Sequence, residues 1–139
     1  MHMTLEADYA VRIVEFLTKN EGRQDAKTIS DETKIPLRFS LKILRSLVAE
    51  KIVCSFKGSK GGYTLAKPAK QISLREVIES VEGEYMLSRC QKEEYSCGRG
   101  ERCKLHQVYI EISDIVRDRL ATYDFETICS DECGCEHEK

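Results

Sequence analysis

The sequence predicts a mainly α fold: a winged helix-turn-helix with a small β-hairpin wing, followed by a long C-terminal dimerisation helix. Three observations carry that expectation. Residues 34–70 hold nine Lys and Arg against Glu50 alone, a net of +8 in a chain whose formal charge is −2. A glycine-rich stretch with two lysines, Lys57 to Gly62, separates two short β-prone runs. Apolar residues then recur at helical spacing from Leu105 to Tyr123, about five turns. A basic block inside a mildly acidic protein is the electrostatic footprint of a polyanion site, since solvated faces usually mix both signs.

A length of 139 residues supports one domain, or one domain plus an arm for self-association. No stretch approaches the ~20 apolar residues of a membrane span, so no membrane partner is expected. In chain order, Thr4 is a plausible N-cap for a helix over residues 5–19, with Ala7, Ala10, Val11, Val14 and Leu17 on its buried face. Ala26 to Lys34 reads as a second helix with Ile29 inward, broken by Ile35-Pro36. A third runs over 37–50, with Leu41, Ile43, Leu44, Leu47 and Val48 toward the core. Arg38, Ser40, Lys42 and Arg45 are left for its outer side. Two short helices about a tight turn, the second basic, fit a helix-turn-helix whose second helix enters the major groove of double-stranded DNA.

Strands over 52–56 and 63–65 would flank the tip Lys57-Gly58-Ser59-Lys60-Gly61-Gly62, making a wing. Gly61 and Gly62 permit close approach to the sugar–phosphate backbone, and Lys57 and Lys60 can neutralise phosphates. A nucleotide-cradling loop is excluded, because the spacing is wrong and no helix opens behind it. Ser73 caps a fourth helix, with Glu76 completing a capping box and Gly83 closing it. The long stripe of Leu105, Val108, Tyr109, Ile112, Ile115, Val116, Leu120 and Tyr123 is more than a small domain can cover, which favours packing on a symmetry mate. The alternative is a core helix folded back on the winged domain. The resulting division is 1–83 winged domain, 84–104 cysteine loop, 105–126 dimerisation helix, and 127–139 an acidic tail expected to be flexible.

Cys90, Cys97 and Cys103, followed by His106, form the chemical centre. Gly98 and Gly100 let the loop turn back, while Arg89, Lys92, Arg99, Arg102 and Lys104 favour thiolate and offset its charge. Seven cysteines, an odd number, and an N-terminus without an apolar signal core argue for a reducing cytoplasm over a disulfide framework. Zinc sites usually pair thiols two to four residues apart, which this loop does not, so an iron–sulfur cluster is favoured and zinc remains open. Cys129 and Cys133 in the tail do have zinc spacing. No Ser/His/Asp or Cys/His grouping lies in a recognisable catalytic motif, so no enzyme is expected. A small iron–sulfur or zinc redox carrier without DNA binding is the rival. It leaves the +8 block and the lysine-tipped hairpin without a purpose.

The opening TLEADYAVR (Thr4 to Arg12), the wing KGSKGGYTLAKP (Lys57 to Pro68), the helix SLREVIESVEG (Ser73 to Gly83), the cysteine triplet and the long helix together resemble the Rrf-type family of bacterial winged-helix regulators, which includes the IscR, NsrR and RirA groups. The resemblance implies a homodimer with crossed long helices and one iron–sulfur cluster per subunit on Cys90, Cys97 and Cys103. It also implies DNA binding, as a repressor, that depends on the cluster's response to nitric oxide, redox state, or iron and cluster supply. His106 as fourth ligand resembles the IscR pattern and a [2Fe-2S] cluster. Asp8 from the partner subunit resembles the NsrR pattern and a [4Fe-4S] cluster. The reading leans to His106, a local ligand that needs no cross-dimer geometry. Two departures leave the operator sequence open: Lys57 stands where the family often has arginine, and Leu41 where IscR-like recognition helices carry an acid.

Overall fold

The computed structural model describes residues 2–92, 98 and 103–130. The first helix, α1 (Leu5–Lys19), starts where Thr4 supplies a hydroxyl that accepts the Ala7 N–H at 3.2 Å. Ala7, Ala10, Ile13, Val14 and Leu17 are its buried side; Val11, expected there, is only half-buried, and Ile13 takes its place. Asp25 caps α2 (Ala26–Thr33) by accepting the Thr28 N–H at 2.8 Å. Lys34 then turns left-handed at φ 57°, which drops Ile35 into the core. Pro36 opens α3 (Leu37–Ala49).

On α3 the expected faces need one correction. Ser40 is buried, its hydroxyl 3.4 Å from the Ile35 carbonyl, while Leu41 is exposed. Ser40, Ile43, Leu44 and Leu47 follow the i, i+3, i+4, i+7 rule of a single helix face, and Leu41 does not. Polarity alone predicts an outward Ser40, but its place in the period decides. The buried hydroxyl braces the turn between the two helices, together with Ser30, which donates to the same carbonyl at 2.5 Å.

The wing consists of β1 (Val53–Phe56) and β2 (Gly62–Leu65), antiparallel, with Val53 opposite Leu65 and Phe56 opposite Gly62. A third backbone segment joins it from before α2. Gln24 donates to the Tyr63 carbonyl at 3.0 Å and accepts the Tyr63 N–H at 2.8 Å. That contact fixes the residue type at the tip's end: a β-carbon on Gly62, whose φ is +146°, would stand 2.8 Å from the Gln24 carbonyl oxygen.

Ser73 caps α4 (Leu74–Glu82) through the Glu76 N–H at 3.1 Å, and Gly83 ends it at φ 77°. The Glu76 carboxylate does not close the expected capping box; it pairs with Lys67 at 2.5 Å, tying the end of the wing to α4. The long helix α5 (Lys104–Ala121) is shorter than expected and stops before Tyr123. Asp124 then caps a sixth helix, α6 (Phe125–Ser130), accepting the Thr127 N–H at 2.9 Å. The chain returns here to the winged domain, Leu74 N–H to the Tyr123 carbonyl at 2.8 Å and Phe125 N–H to the Ile72 carbonyl at 3.1 Å. Phe125 is 0% exposed in the main core. The boundary expected at residues 126–127 is therefore displaced, since 125–130 is part of the globular body.

Helix α5 lies against α4 but does not bury its apolar stripe. Leu105, Ile112 and Ile115 are 48%, 40% and 62% exposed, and Ser113 is its one buried residue. Val108, Tyr109, Val116 and Leu120 are half-buried, so the stripe is covered only in part. No helix among the described residues is long and apolar enough to cross a membrane.

Candidate nucleic-acid interface and metal centre

Arg38, Lys42 and Arg45 are exposed on the outer side of α3, in the position of a recognition helix. The Arg38 guanidinium lies 5.5 Å from the Phe39 ring. Lys42 Nζ is 2.7 Å from Glu6 Oε1 of α1, an exposed pair. Such pairs contribute at most about 1 kcal/mol, so a phosphate or base edge can displace Glu6. Ser40, expected beside them, faces the core and leaves the set. At the wing, Lys57 and Lys60 are exposed on the tip. Gly61, expected to approach DNA, has a prior structural duty: a β-carbon there would stand 2.5 Å from the Phe56 carbonyl oxygen. Gly62 is held the same way by Gln24.

The cysteine loop leaves α4 at Gly83 and forms a short 3-10 turn, Arg89–Gln91, that meets α5 through Gln91 and Ser113. Ser88 caps that turn, and its N–H donates to Gln91 Oε1 at 3.2 Å, a reciprocal capping box around Cys90. The buried Ser113 of α5 fastens it. Its hydroxyl accepts the Leu87 N–H at 2.9 Å and stands 3.0 Å from Gln91 Oε1 and 2.7 Å from the Tyr109 carbonyl, to one of which it donates its proton. The result is that Cys90 Sγ lies 3.3 Å from Nδ1 of His106, sixteen residues on. Cys103 is the N-cap of α5, and His106 sits one turn later. Cys97 lies outside the described residues, as do Cys133, Cys135 and His137. Among the described residues no group of three or more His, Cys, Asp and Glu side chains gathers.

The pair fits a metal centre. A thiolate and an imidazole bound to one tetrahedral ion, at about 2.3 and 2.0–2.1 Å, stand roughly 3.5 Å apart. A thiol and an imidazole already at 3.3 Å need almost no movement to share such an ion. Asp8, the other candidate, is engaged within its own helix: Oδ2 is 2.7 Å from Arg12. Cys54 stands apart in β1, and Cys129 in α6, where burial pushes its thiol above the ordinary value of 9.0.

A polar hub joins the loop to the winged domain. Glu79 of α4 accepts from Arg75 at 3.3 Å, from Arg117 of α5 at 3.2 Å and from the Tyr85 N–H at 3.3 Å. Arg117 also reaches Glu84 at 2.6 Å. One carboxylate thus touches α4, the loop's first residues and α5. Neither this hub nor Ser113 stood out in the sequence, where each is an ordinary polar residue on a helix. Ser113 did interrupt an apolar stripe, which was the available signal.

The comparisons with known proteins agree with this architecture. A family model described as Rrf2, iron-dependent transcriptional regulator, matches residues 3–131. The HTH-type transcriptional regulator IscR of Pectobacterium atrosepticum is 33% identical over 122 residues, 86% of this chain and 74% of the relative. That of Photorhabdus laumondii is 30% identical over 134 residues, 95% and 81%. Among solved structures, CymR, the global cysteine regulator of B. subtilis, superposes with TM-score 0.74 at 21% identity, covering 94% of this chain and 97% of that one. T. potens IscR gives 0.73 at 18%, with 94% and 88% covered. The two structures show the fold; the family model and the sequence relatives show the kinship. The chain belongs to the Rrf2 family and is a DNA-binding transcriptional regulator, not an enzyme.

Proposed function

We propose that this regulator is a homodimeric repressor of the cytoplasm whose DNA affinity is set by an iron–sulfur cluster on Cys90, Cys97, Cys103 and His106. The observation that carries it is the 3.3 Å approach of Cys90 Sγ to His106 Nδ1. Two soft or borderline donors, far apart in sequence, converge at the start of the helix that would form the dimer. When bound, the cluster supplies a centre sensitive to nitric oxide, redox state or iron supply. The chain's own residues do the rest. Ser88, Gln91 and Ser113 aim Cys90 at α5, while Glu79 and Arg117 tie the same segment to α4. The exposed stripe of Leu105, Ile112 and Ile115 supports pairing of α5 with its symmetry mate. A shift at the base of α5 would then alter the spacing of two winged domains, and DNA half-sites tolerate little such change. Arg38, Lys42 and Arg45 would meet the major groove, and Lys57 and Lys60 the phosphates.

Anaerobic purification, visible absorption, and iron and sulfide assay test the proposal. Cys90→Ala, Cys97→Ala and Cys103→Ala should each lose the chromophore yet stay folded and dimeric, while Cys54→Ala keeps it. His106→Ala should change spectrum and reduction potential, because a neutral imidazole in place of thiolate raises the potential. Asp8→Ala should leave both unchanged. A colourless wild type with stoichiometric zinc overturns the cluster. A [4Fe-4S] spectrum sensitive to Asp8→Ala moves the fourth ligand to the partner subunit.

A further inference from the structure

Arg23 precedes α2, far in sequence from the wing, yet its side chain lies on it. Its guanidinium carbon is 3.8 Å from the centroid of the Phe56 ring, close enough for full stacking. Its Nη1 donates to the Lys60 carbonyl at 3.0 Å. The next residue, Gln24, pairs by backbone on both sides of Tyr63. Phe56 ends β1 and Lys60 lies in the tip, so one planar cation touches both ends of the turn that carries the lysines. The stacking is exposed: Phe56 is 37% accessible, an aromatic that serves no core.

We propose that Arg23 is a positioning residue for DNA binding, a clamp that holds the wing tip so that Lys57 and Lys60 meet the phosphate backbone in one arrangement. The idea rests on the reading of those lysines as phosphate contacts. Lysine is a flexible point charge, and the tip's own turn, Gly61 N–H to the Gly58 carbonyl at 2.9 Å, fixes its backbone without orienting the tip against the body of the domain. The clamp supplies that orientation from outside the hairpin. Its fork geometry is essential: a lysine at position 23 keeps the charge but cannot stack flat on Phe56 while donating to the Lys60 carbonyl.

The test uses the full chain and the duplex that the wild-type protein enriches from a random-sequence pool. Arg23→Lys, which preserves the charge but loses both the stacking and the hydrogen bond, should weaken binding roughly tenfold, and Phe56→Leu, which loses the stacking alone, by about half that factor. Lys60→Ala should weaken wild-type binding and lower the salt slope by about one, and should have a clearly smaller effect in the Arg23→Lys background. Trypsin cleavage after Lys57 and Lys60 should accelerate in Arg23→Lys without DNA, at an unchanged melting temperature, since Arg23 is exposed. Normal affinity and normal cleavage for Arg23→Lys, with a reduced salt slope for Arg23→Ala only, would make Arg23 a plain phosphate contact and overturn the clamp. An inert Lys60→Ala in the wild-type background overturns it differently, by removing the contact that the clamp would serve.

Discussion

The wing and the cysteine loop are both short excursions from the helical body, and they are held in opposite ways. The body of the wing is fixed by backbone, with the Arg23 side chain added only at its tip: β1 pairs with β2, Gln24 pairs with Tyr63, and buried Ile52 and Val53 anchor its root. The described part of the loop is fixed by side chains, through Ser88, Gln91, Ser113 and the Glu79–Arg117 hub. Backbone ladders inside a packed domain open with it, whereas single side-chain hydrogen bonds contribute about 1 kcal/mol net. A reader of DNA benefits from the first arrangement. The sensing proposed for the loop needs the second, because a ligand can shift only an equilibrium of comparable size.

The largest effect should come from breaking the rigid side. Gly62→Ala places a β-carbon 2.8 Å from the Gln24 carbonyl oxygen at a φ of +146°. Strain and overlap together should destabilise the protein by about 3 kcal/mol and separate the wing from Gln24. Gly58 has φ +96° with nothing near its missing side chain, so Gly58→Ala should cost about 1 kcal/mol. Thermal melting of the two variants checks the order. Equal losses would mean that the Gln24 contact does not constrain the wing.

Ser113→Ala breaks the other side. It leaves the Leu87 N–H and Gln91 without their partner and should cost about 1–2 kcal/mol. Its distinctive sign should be local: less iron per subunit and faster loss of colour, with trypsin cleavage at the wing tip unchanged. If cluster content is normal, the buried serine has only a structural role.

What was legible in the sequence follows the same division. Local chemistry read well: Thr4 and Ser73 as caps, Pro36 as a break, Gly83 as a stop, and the hairpin with its tip. On α3, polarity and helical period disagree at Ser40 and Leu41, and the period decides which is buried. Long-range contacts left little local signal. Gln24 meets Tyr63 only through tertiary structure, and α6 hid in an acidic segment, although Asp124 and Thr127 had cap spacing. At the candidate metal centre, the spacing puts His106 three residues, nearly one helical turn, after Cys103 at the start of α5. That Cys90 reaches His106 depends on Gln91 meeting Ser113, which no spacing reveals.

The smallest expected effect separates the two sides by pH. Asp25 sits at the start of α2, next to the Gln24 strand contact, and its carboxyl is held below its ordinary value of 3.8 by the Thr28 hydroxyl first and the Thr28 N–H second. Asp124 is held low in the same way, by the Thr127 N–H and then its hydroxyl. A carboxyl lowered on folding contributes stability that is complete above its ordinary value, and that contribution is lost as the pH falls through the lower, folded value. At neutral pH the wild type should therefore melt slightly above Asp25→Asn, and the two curves should converge as the pH falls below the ordinary value of 3.8 and through the lower folded one, beyond which both caps are uncharged. Asp124→Asn should behave alike, and the two effects should add, since one cap serves the helix-turn-helix and the other the docked C-terminal helix. The wing should feel only the first: trypsin cleavage after Lys60 should quicken in Asp25→Asn and not in Asp124→Asn. A melting gap that stays constant down to acid pH would mean that neither carboxylate's charge contributes to its cap.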